Sequence, residues 1–248
     1  MKKRKWKVRT ILVTAGPTVE DIDPVRFISN RSSGKLGVEV AAAGVRAGLR
    51  VILIHGPVAE NVLKRIRQLG RAVSAVAVRS AADMHRAVKS NLARADAVIM
   101  TAAVADFTPA VVSATKLKKA QPPPKARSKV RAETVLKLKP TVDILAEVGG
   151  KKGTRARPLL IGFALETGTG RTDSERRIAQ TSEAIRKLCD KNLDAIVLDS
   201  PSAMAADSGD FKILFRDGTR RDCSGMSKRA LARVLIKFAT TPAPPVIQ

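Results

Sequence analysis

The chain has 248 residues, 44% of them hydrophobic and 27% charged, which allows one large domain with a substantial core and excludes an intrinsically disordered chain. Its two cysteines lie far apart and its two histidines fit no metal-ligand spacing, so a disulfide scaffold or a zinc ribbon is disfavoured. The net charge of +24 favours polyanionic partners, but six Phe, one Trp and no Tyr make a dedicated reader of single-stranded nucleic acid a poor fit.

The chain begins with a basic tail. Six of the first nine residues are Lys or Arg, and the apolar run after them is too short for a signal peptide or for the roughly 18 residues of a membrane span. We therefore expect a cytoplasmic protein without membrane contact. It should consist of a tail over residues 1–7, one domain over 8–241 and a disordered tail over 242–248.

Apolar, β-branched runs alternate with stretches that carry apolar residues at helical spacing. This alternation predicts crossover units and a doubly wound α/β fold with a Rossmann-like, mostly parallel sheet. The predicted strands are residues 8–14, 50–54, 72–78, 97–101, 159–163 and 195–198. The predicted helices are residues 34–47, 81–93, 173–189 and 227–240.

Between residues 107 and 140 this alternation stops. Prolines at positions 122–124 exclude a helix there, while Lys and Leu alternate on either side as they do in strands. We expect an inserted, projecting two-stranded arm over residues 107–140. Further on, Asp217-Gly218 between the segments 211–215 and 220–223 predicts a β-hairpin.

The connection between the first strand and the first helix is long. Ligands of doubly wound sheets bind at the carboxyl ends of strands, and connections of this length are usually functional. Ser32, Ser33 and Gly34 precede the helix, whose first amide groups would suit an anion. The segment is neither a Walker loop nor a dinucleotide fingerprint. From spacing alone, an ordinary helix cap is therefore as good an interpretation as a phosphate-binding site.

The exact residues of this connection carry more information. It opens with Thr14-Ala-Gly-Pro-Thr and closes with Asp23-Pro-Val-Arg-Phe-Ile-Ser-Asn-Arg-Ser-Ser-Gly-Lys-Leu-Gly. Later motifs are Ala102-Ala-Val-Ala-Asp-Phe, Lys116-Leu-Lys-Lys, Asp143-Ile-Leu, Ile161-Gly-Phe-Ala-Leu-Glu-Thr and Lys187-Leu-Cys-Asp-Lys-Asn-Leu-Asp. Over residues 8–237 the chain thus resembles phosphopantothenoylcysteine synthetase, the phosphopantothenate–cysteine ligase of coenzyme A biosynthesis.

The resemblance implies a ligation in two steps. The carboxylate of 4′-phosphopantothenate attacks the α-phosphate of CTP, or of ATP, with the help of Mg²⁺, and the amine of L-cysteine then attacks the acyl-nucleotide. The resemblance also implies a homodimer formed through the 107–140 arm. In many bacterial members this activity is fused behind a flavin-dependent decarboxylase, whereas this sequence starts at the ligase. We therefore expect a stand-alone ligase whose partner is a separate decarboxylase. The motifs identify no ligand for the metal ion.

The resemblance assigns three catalytic residues by position. Asn30 corresponds to the asparagine that handles the pantothenate end and the acyl intermediate, and Arg26 to an arginine of the same half-reaction. Lys116 corresponds to the lysine that neutralises the transferring phosphate. The residues alone leave two alternatives open: a salt bridge from Arg26 to Asp21 or Asp23 that pins the loop, and a solvated surface for Lys116.

The remaining assigned positions bind the nucleotide or the acid. Asp143 and Phe163 lie in segments that frame the base and ribose, and Lys187 and Lys191 correspond to a lysine pair that meets the triphosphate. The residues alone leave two alternatives open. Phe163 could be an ordinary core residue, and the two lysines could lie on a solvated helix face with nearby aspartates as counterions. The nucleotide set is Gly16, Ala103, Asp106, Val142, Asp143, Ile144, Leu145, Phe163, Lys187 and Lys191. The set for the acid is Ser32, Ser33, Gly34 and Lys35.

Several residues depart from the family pattern. Thr141-Val142 stands where Asn-Pro is common, and Asp199 stands where the family has Asn. The added carboxylate would either weaken triphosphate binding or contribute a Mg²⁺ ligand. Two other functions stay open: a catalytically inactive nucleotide-binding protein whose basic arm contacts nucleic acid and, ranked last, an NAD(P)-dependent dehydrogenase, whose glycine fingerprint the sequence lacks.

Overall fold

The computed structural model describes residues 7–118, 135–155, 157–166, 168–199 and 206–241. The two expected tails, apart from Lys7, and the middle of the expected arm, at residues 119–134, lie outside the described residues. The strands within the described residues are β1 (Thr10–Ala15), β2 (Val19–Asp21), β3 (Phe27–Ser29), β4 (Arg50–His55), β5 (Val73–Ala77), β6 (Ala97–Met100), β7 (Phe107–Pro109), β8 (Leu138–Pro140), β9 (Leu159–Leu165), β10 (Ala195–Asp199), β11 (Ser208–Phe215) and β12 (Arg220–Ser227). The α-helices are α1 (Lys35–Arg46), α2 (Glu60–Gln68), α3 (Ala81–Asn91), α4 (Ile144–Lys152), α5 (Asp173–Asp190) and α6 (Lys228–Thr240).

Eight strands form one central sheet in the order β12-β11-β10-β9-β6-β1-β4-β5. The six strands from β10 to β5 are parallel, and the hairpin of β11 and β12 adds two antiparallel strands at one edge. The predicted doubly wound fold is therefore confirmed, and so are all six predicted parallel strands, the four predicted helices and the hairpin at Asp217-Gly218.

The alternation of side chains along each strand divides the core between the two faces of the sheet. Ile11 and Val13 of β1 pack with α1, α2 and α6, whereas Leu12 packs on the other face with α3, α4 and α5. All six residues of β1 are buried. Because helices cover both faces, a central parallel strand reads as an uninterrupted apolar run.

The base of the predicted arm is a short ladder of β7 and β8, extended by a hydrogen bond from the Ala110 amide to the Lys137 carbonyl (2.9 Å). A second small ladder, β2 with β3, lies inside the long connection after β1. The sequence did not predict this hairpin, nor α2 and α4, because two strands of three residues and two helices of nine carry little periodicity. No helix among the described ranges is both long and apolar enough to cross a lipid bilayer.

Candidate functional site

A cleft of about 460 Å³ opens at the carboxyl edge of the sheet, where the chain leaves β1 and β6. The strand order reverses between these two strands, which is where doubly wound folds bind their ligands. The start of α1, the segment after β6, the start of α4 and the end of α5 form its walls. The predicted site residues that line it are Asn30, Ser32, Ser33, Gly34, Lys35, Ala103, Asp106, Val142, Asp143, Ile144, Leu145, Phe163, Lys187 and Lys191.

Three predicted residues are absent from the lining. Gly16, with a positive φ of 77°, lies directly behind Gly34: a Cβ added to Gly34 would come within 3.3 Å of the Gly16 Cα. Gly16 therefore supports the wall instead of facing the cleft. Arg26 and Lys116 lie on the neighbouring hairpin turn and arm segment.

The first turn of α1 presents backbone amides to the cleft. Gly34 forms the N-cap in the left-handed conformation (φ 75°), and no side chain caps the helix there. The Ser33 Oγ lies 3.5 Å from the Lys35 amide, at the limit of a hydrogen bond. Since the first turn also holds no acidic residue, its amides and the positive end of the helix dipole can accept an anion.

Asn30 is anchored to the opposite wall. Its amide nitrogen Nδ2 donates to the carbonyl oxygens of Ala103 (3.0 Å) and Val104 (3.1 Å). These bonds fix the carboxamide and leave its oxygen Oδ1 for a ligand, whereas donation to an oxyanion would require Nδ2 to exchange one of the two carbonyls.

The predicted lysine pair points into the cleft. Lys187 Nζ lies 2.5 Å from Glu166 Oε1, and Lys191 Nζ lies 2.7 Å from Asp143 Oδ2. The aspartates expected as counterions bind elsewhere, because Asp190 pairs with Arg186 and Asp194 with Lys152. The two lysines are thus held at the cleft by carboxylates from α4 and from the segment after β9.

Asp143 both caps α4 and holds Lys191. Its Oδ1 accepts from the Ala146 amide at 2.9 Å. Partial burial raises the pKa of Asp143, but the hydrogen bonds from Lys191 and from the helix amides outweigh it, so the pKa stays below its usual value. A Cβ added to Gly149 would lie 1.8 Å from the Lys191 carbonyl oxygen, which shows how closely α4 approaches the end of α5.

Sequence reasoning missed two charged residues of the site. Lys228 lines the cleft at 5% exposure, and burial lowers the pKa of its ammonium group while Asp199 opposes that shift. Glu166 holds Lys187, although it stood inside a quoted motif without a role. The available signal for Lys228 was Ser227, a residue type that favours N-caps and that starts α6 at this edge of the sheet.

The salt-bridge alternative for Arg26 is the one observed. Arg26 binds Asp23 (Nη2 to Oδ2, 2.5 Å) and donates to the Leu117 carbonyl oxygen (2.8 Å), whereas Asp21 pairs with Arg79. Arg26 therefore joins the hairpin turn to the arm segment that carries Lys116, and it does not face the cleft.

The described residues contain no group of three or more His, Cys, Asp or Glu side chains that could hold a metal ion. Asp106, Asp143 and Asp199 line the cleft at separate points. This arrangement fits a Mg²⁺ ion that arrives on a triphosphate, because such ions use one or two protein carboxylates together with phosphate oxygens.

Comparison with known proteins finds relatives along nearly the whole chain. Residues 6–241 match the family described as DNA/pantothenate metabolism flavoprotein C-terminal domain. The chain is 43% identical over 222 residues to the coenzyme A biosynthesis bifunctional protein CoaBC of Bacillus subtilis, covering 88% of this chain and 48% of that protein. It is 36% identical over 239 residues to CoaBC of Mycobacterium tuberculosis, covering 94% and 52%. The chain thus spans about half the length of these relatives.

Solved structures show the same fold. The crystal structure of the C-terminal domain of CoaBC has a TM-score of 0.68 and 35% identity, covering 92% of each chain. A Cab2 variant in complex with phosphopantothenate-cysteine also has a TM-score of 0.68, covering 93% of this chain and 85% of that chain. At 16% identity this second likeness concerns the fold alone.

Proposed function

This chain belongs to the family of the DNA/pantothenate metabolism flavoprotein C-terminal domain, as the motifs predicted, and on that basis we propose that it ligates 4′-phosphopantothenate to L-cysteine in coenzyme A biosynthesis. The observation that carries the proposal is the cleft itself. It combines the uncapped start of α1, the anchored Asn30 and the cations Lys187, Lys191 and Lys228 at the switch point of the sheet. Phosphates and an activated acid need these groups side by side.

In the first step, a carboxylate oxygen of the acid forms a bond to the α-phosphorus of CTP or ATP while the bond to pyrophosphate breaks. Lys187 and Lys191 exchange their carboxylate partners for the phosphates, and Lys116, supplied by the arm of the same chain or of a partner protomer, neutralises charge on the transferring phosphoryl group. Bound Mg²⁺ would neutralise the leaving pyrophosphate beside Asp106 or Asp143. Positioned positive charge of this kind lowers the barrier without a histidine base.

In the second step, the cysteine amine attacks the acyl carbon, the bond to the nucleoside monophosphate breaks and the amine loses a proton. Asn30 holds the pantothenate amide through Oδ1, and the start of α1 with Ser32, Ser33 and Lys35 holds an anionic end of the acid. Phe163 and Leu145 give the nucleotide base an apolar wall.

Pyrophosphate and nucleoside monophosphate release test this proposal. With CTP or ATP, phosphopantothenate and magnesium, we expect pyrophosphate in a single turnover without cysteine, and sustained release of the monophosphate only after cysteine is added. Omission of the acid should abolish both signals. Turnover with neither triphosphate would overturn the proposal.

We also propose that two copies associate through the arm. Val25, Phe27, Phe107 and Leu138 on the paired hairpins are 46–59% exposed, and a surface of large apolar side chains favours protein contact. The product keeps the carboxylate of its cysteine unit, so a separate decarboxylase, the kind of activity fused to many bacterial synthetases, is the proposed next partner.

A further inference from the structure

Asp23 is buried where the turn between β2 and β3 meets the arm. Its side chain is 0% exposed, and its two carboxylate oxygens accept five hydrogen bonds. Oδ1 accepts from the amides of Val25 and Arg26, both at 2.8 Å. Oδ2 accepts from Arg26 Nε (3.0 Å), from Arg26 Nη2 (2.5 Å) and from the Leu117 amide (3.1 Å). The carboxylate thus joins two segments that lie 94 residues apart in sequence.

Leu117 is held from both sides. Its amide donates to Asp23, and its carbonyl oxygen accepts from Arg26 Nη2 at 2.8 Å. These two hydrogen bonds fix the peptide groups on either side of Leu117. The peptide group on the N-terminal side joins Leu117 to Lys116, so the backbone of Lys116 is fixed as well. The Lys116 side chain is exposed and makes none of these contacts, so it stays available to a ligand.

A second hydrogen bond joins the same two segments. The Ser113 amide donates to the Ile22 carbonyl oxygen at 2.9 Å, four residues before Leu117 and one before Asp23. The hairpin that receives both contacts continues through β3 directly into Asn30. One structural unit therefore connects Asn30 at the cleft with the backbone of Lys116.

We propose that Asp23 and Arg26 are positioning residues that hold Lys116 for nucleotidyl transfer. The proposal rests on the proposed ligase function. Under this proposal Arg26 is not a catalytic residue that contacts the substrate, as the resemblance implied, but holds the arm segment that carries Lys116. Asp23 suits this task because a buried carboxylate that accepts five bonds permits one geometry, and a displacement of about 1 Å at a catalytic group costs up to about 100-fold in rate.

A double-mutant cycle in the full chain tests the coupling. We expect Asp23→Asn and Arg26→Gln each to lower the rate of pyrophosphate formation about 10- to 100-fold, with the KM for CTP changed less than twofold. Lys116→Ala should lower the same rate. In the Lys116→Ala background, Asp23→Asn should cause no further loss, because its effect passes through a side chain that is gone.

Asp21→Asn is the matched control. Asp21 lies on the same hairpin, and its carboxylate forms an ion pair of similar geometry with Arg79, which lies outside the arm. Its rate should match that of the unmodified protein. Losses from Asp23→Asn and Lys116→Ala that multiply in the double variant would overturn the proposal, since they would show that the two residues act independently.

Trypsin cleavage after Lys116, followed by mass spectrometry, tests without an activity assay whether Asp23 and Arg26 hold the Leu117 segment. We expect Asp23→Asn and Arg26→Gln to speed this cleavage at least tenfold and Asp21→Asn to leave it unchanged. Unchanged cleavage in all three variants would overturn the proposal. If the unmodified protein forms no pyrophosphate, the ligase function fails, while the cleavage rates still report whether Asp23 and Arg26 hold this segment. Should Asp23→Asn fail to fold, Arg26→Gln decides both measurements.

Discussion

Lys187 and Lys191 show how two lysines of ordinary helical spacing come to line a cleft. Their four-residue spacing predicted a shared face, but the chain alone did not show that Glu166 and Asp143 would hold them at a cleft. Those partners come from other elements, and contacts between distant residues have no local pattern in the sequence. Lys228 was missed for the same reason, because its burial follows from the return of β12 to the sheet edge.

We expect Lys187→Ala and Lys191→Ala each to weaken CTP binding about 10- to 100-fold, since a hydrogen bond to a charged group is worth roughly 1.5–3 kcal/mol. Isothermal titration calorimetry with CTP and magnesium measures the effect. Lys89→Ala, an exposed lysine of α3 that does not line the cleft, is the control and should bind as the unmodified protein does. Equal affinity of all three variants for CTP would show that Lys187 and Lys191 do not bind the nucleotide.

Asp23 should give the protein a distinct response to acid. The hydrogen bond from Arg26 and the amide groups hold the pKa of Asp23 well below its usual range. Because the folded-state pKa is depressed, the stabilisation is complete above the unfolded-state pKa of about 3.9 and is lost as the pH falls below it. Urea unfolding should therefore show a constant difference between the unmodified protein and Asp23→Asn from pH 7 to 5. That difference should shrink from pH 4 to 3, and a constant difference down to pH 3 would contradict this origin.

At the scale of elements, the long periodic segments were predictable and the short ones were not. The parallel strands and α1, α3, α5 and α6 follow from runs of apolar residues, with ends displaced by at most two residues. The nine-residue helix α4 was hidden, although Asp143 caps it, because its apolar residues are interrupted by Gly149 and Gly150. The edge of the sheet that carries the cleft was thus predicted from topology, while the wall formed by α4 required the structure.

Those two glycines allow a matched test of how α4 positions the lysines. A Cβ at Gly149 would lie 1.8 Å from the Lys191 carbonyl oxygen, whereas a Cβ at Gly150 meets nothing within 4 Å. We expect Gly149→Ala to cost about 1–3 kcal/mol of stability and to weaken CTP binding by displacing Lys191. Gly150→Ala should raise stability by about 0.5–1 kcal/mol, because alanine favours a helix interior. Thermal and urea unfolding measure both, and equal effects of the two variants would contradict the close approach of α4 to α5.

At the scale of the whole molecule, the charge and the exposed apolar surface point to different partners. The sequence carries a net charge of +24, and Lys187, Lys191 and Lys228 line the cleft, while Phe27 and Phe107 remain 56% and 55% exposed on neighbouring hairpins. Composition predicted the attraction for phosphates. It could not predict the apolar surface, because the exposure of a phenylalanine depends on which elements cover it.

We expect Phe107→Glu to convert a dimer into a monomer, since a charge in the centre of an apolar contact is costly to desolvate. Light scattering coupled to gel filtration measures the mass directly. Ile178→Glu, at an apolar position on α5 that is 64% exposed, is the control and should keep the dimer. A monomeric unmodified protein would end the proposal of association through the arm.

Under the proposed function, the carboxylates that hold Lys187 and Lys191 make nucleotide binding an exchange of ion-pair partners. Each ammonium group that turns toward a phosphate leaves Glu166 or Asp143 without its counterion, so a divalent cation entering with the nucleotide finds newly released oxygen ligands nearby. Added potassium chloride weakens the old pairs as well as the new ones. The dissociation constant for CTP should therefore rise less steeply with ionic strength in the unmodified protein than in Glu166→Gln, where the pair between Lys187 and Glu166 is absent and one internal pair fewer has to break.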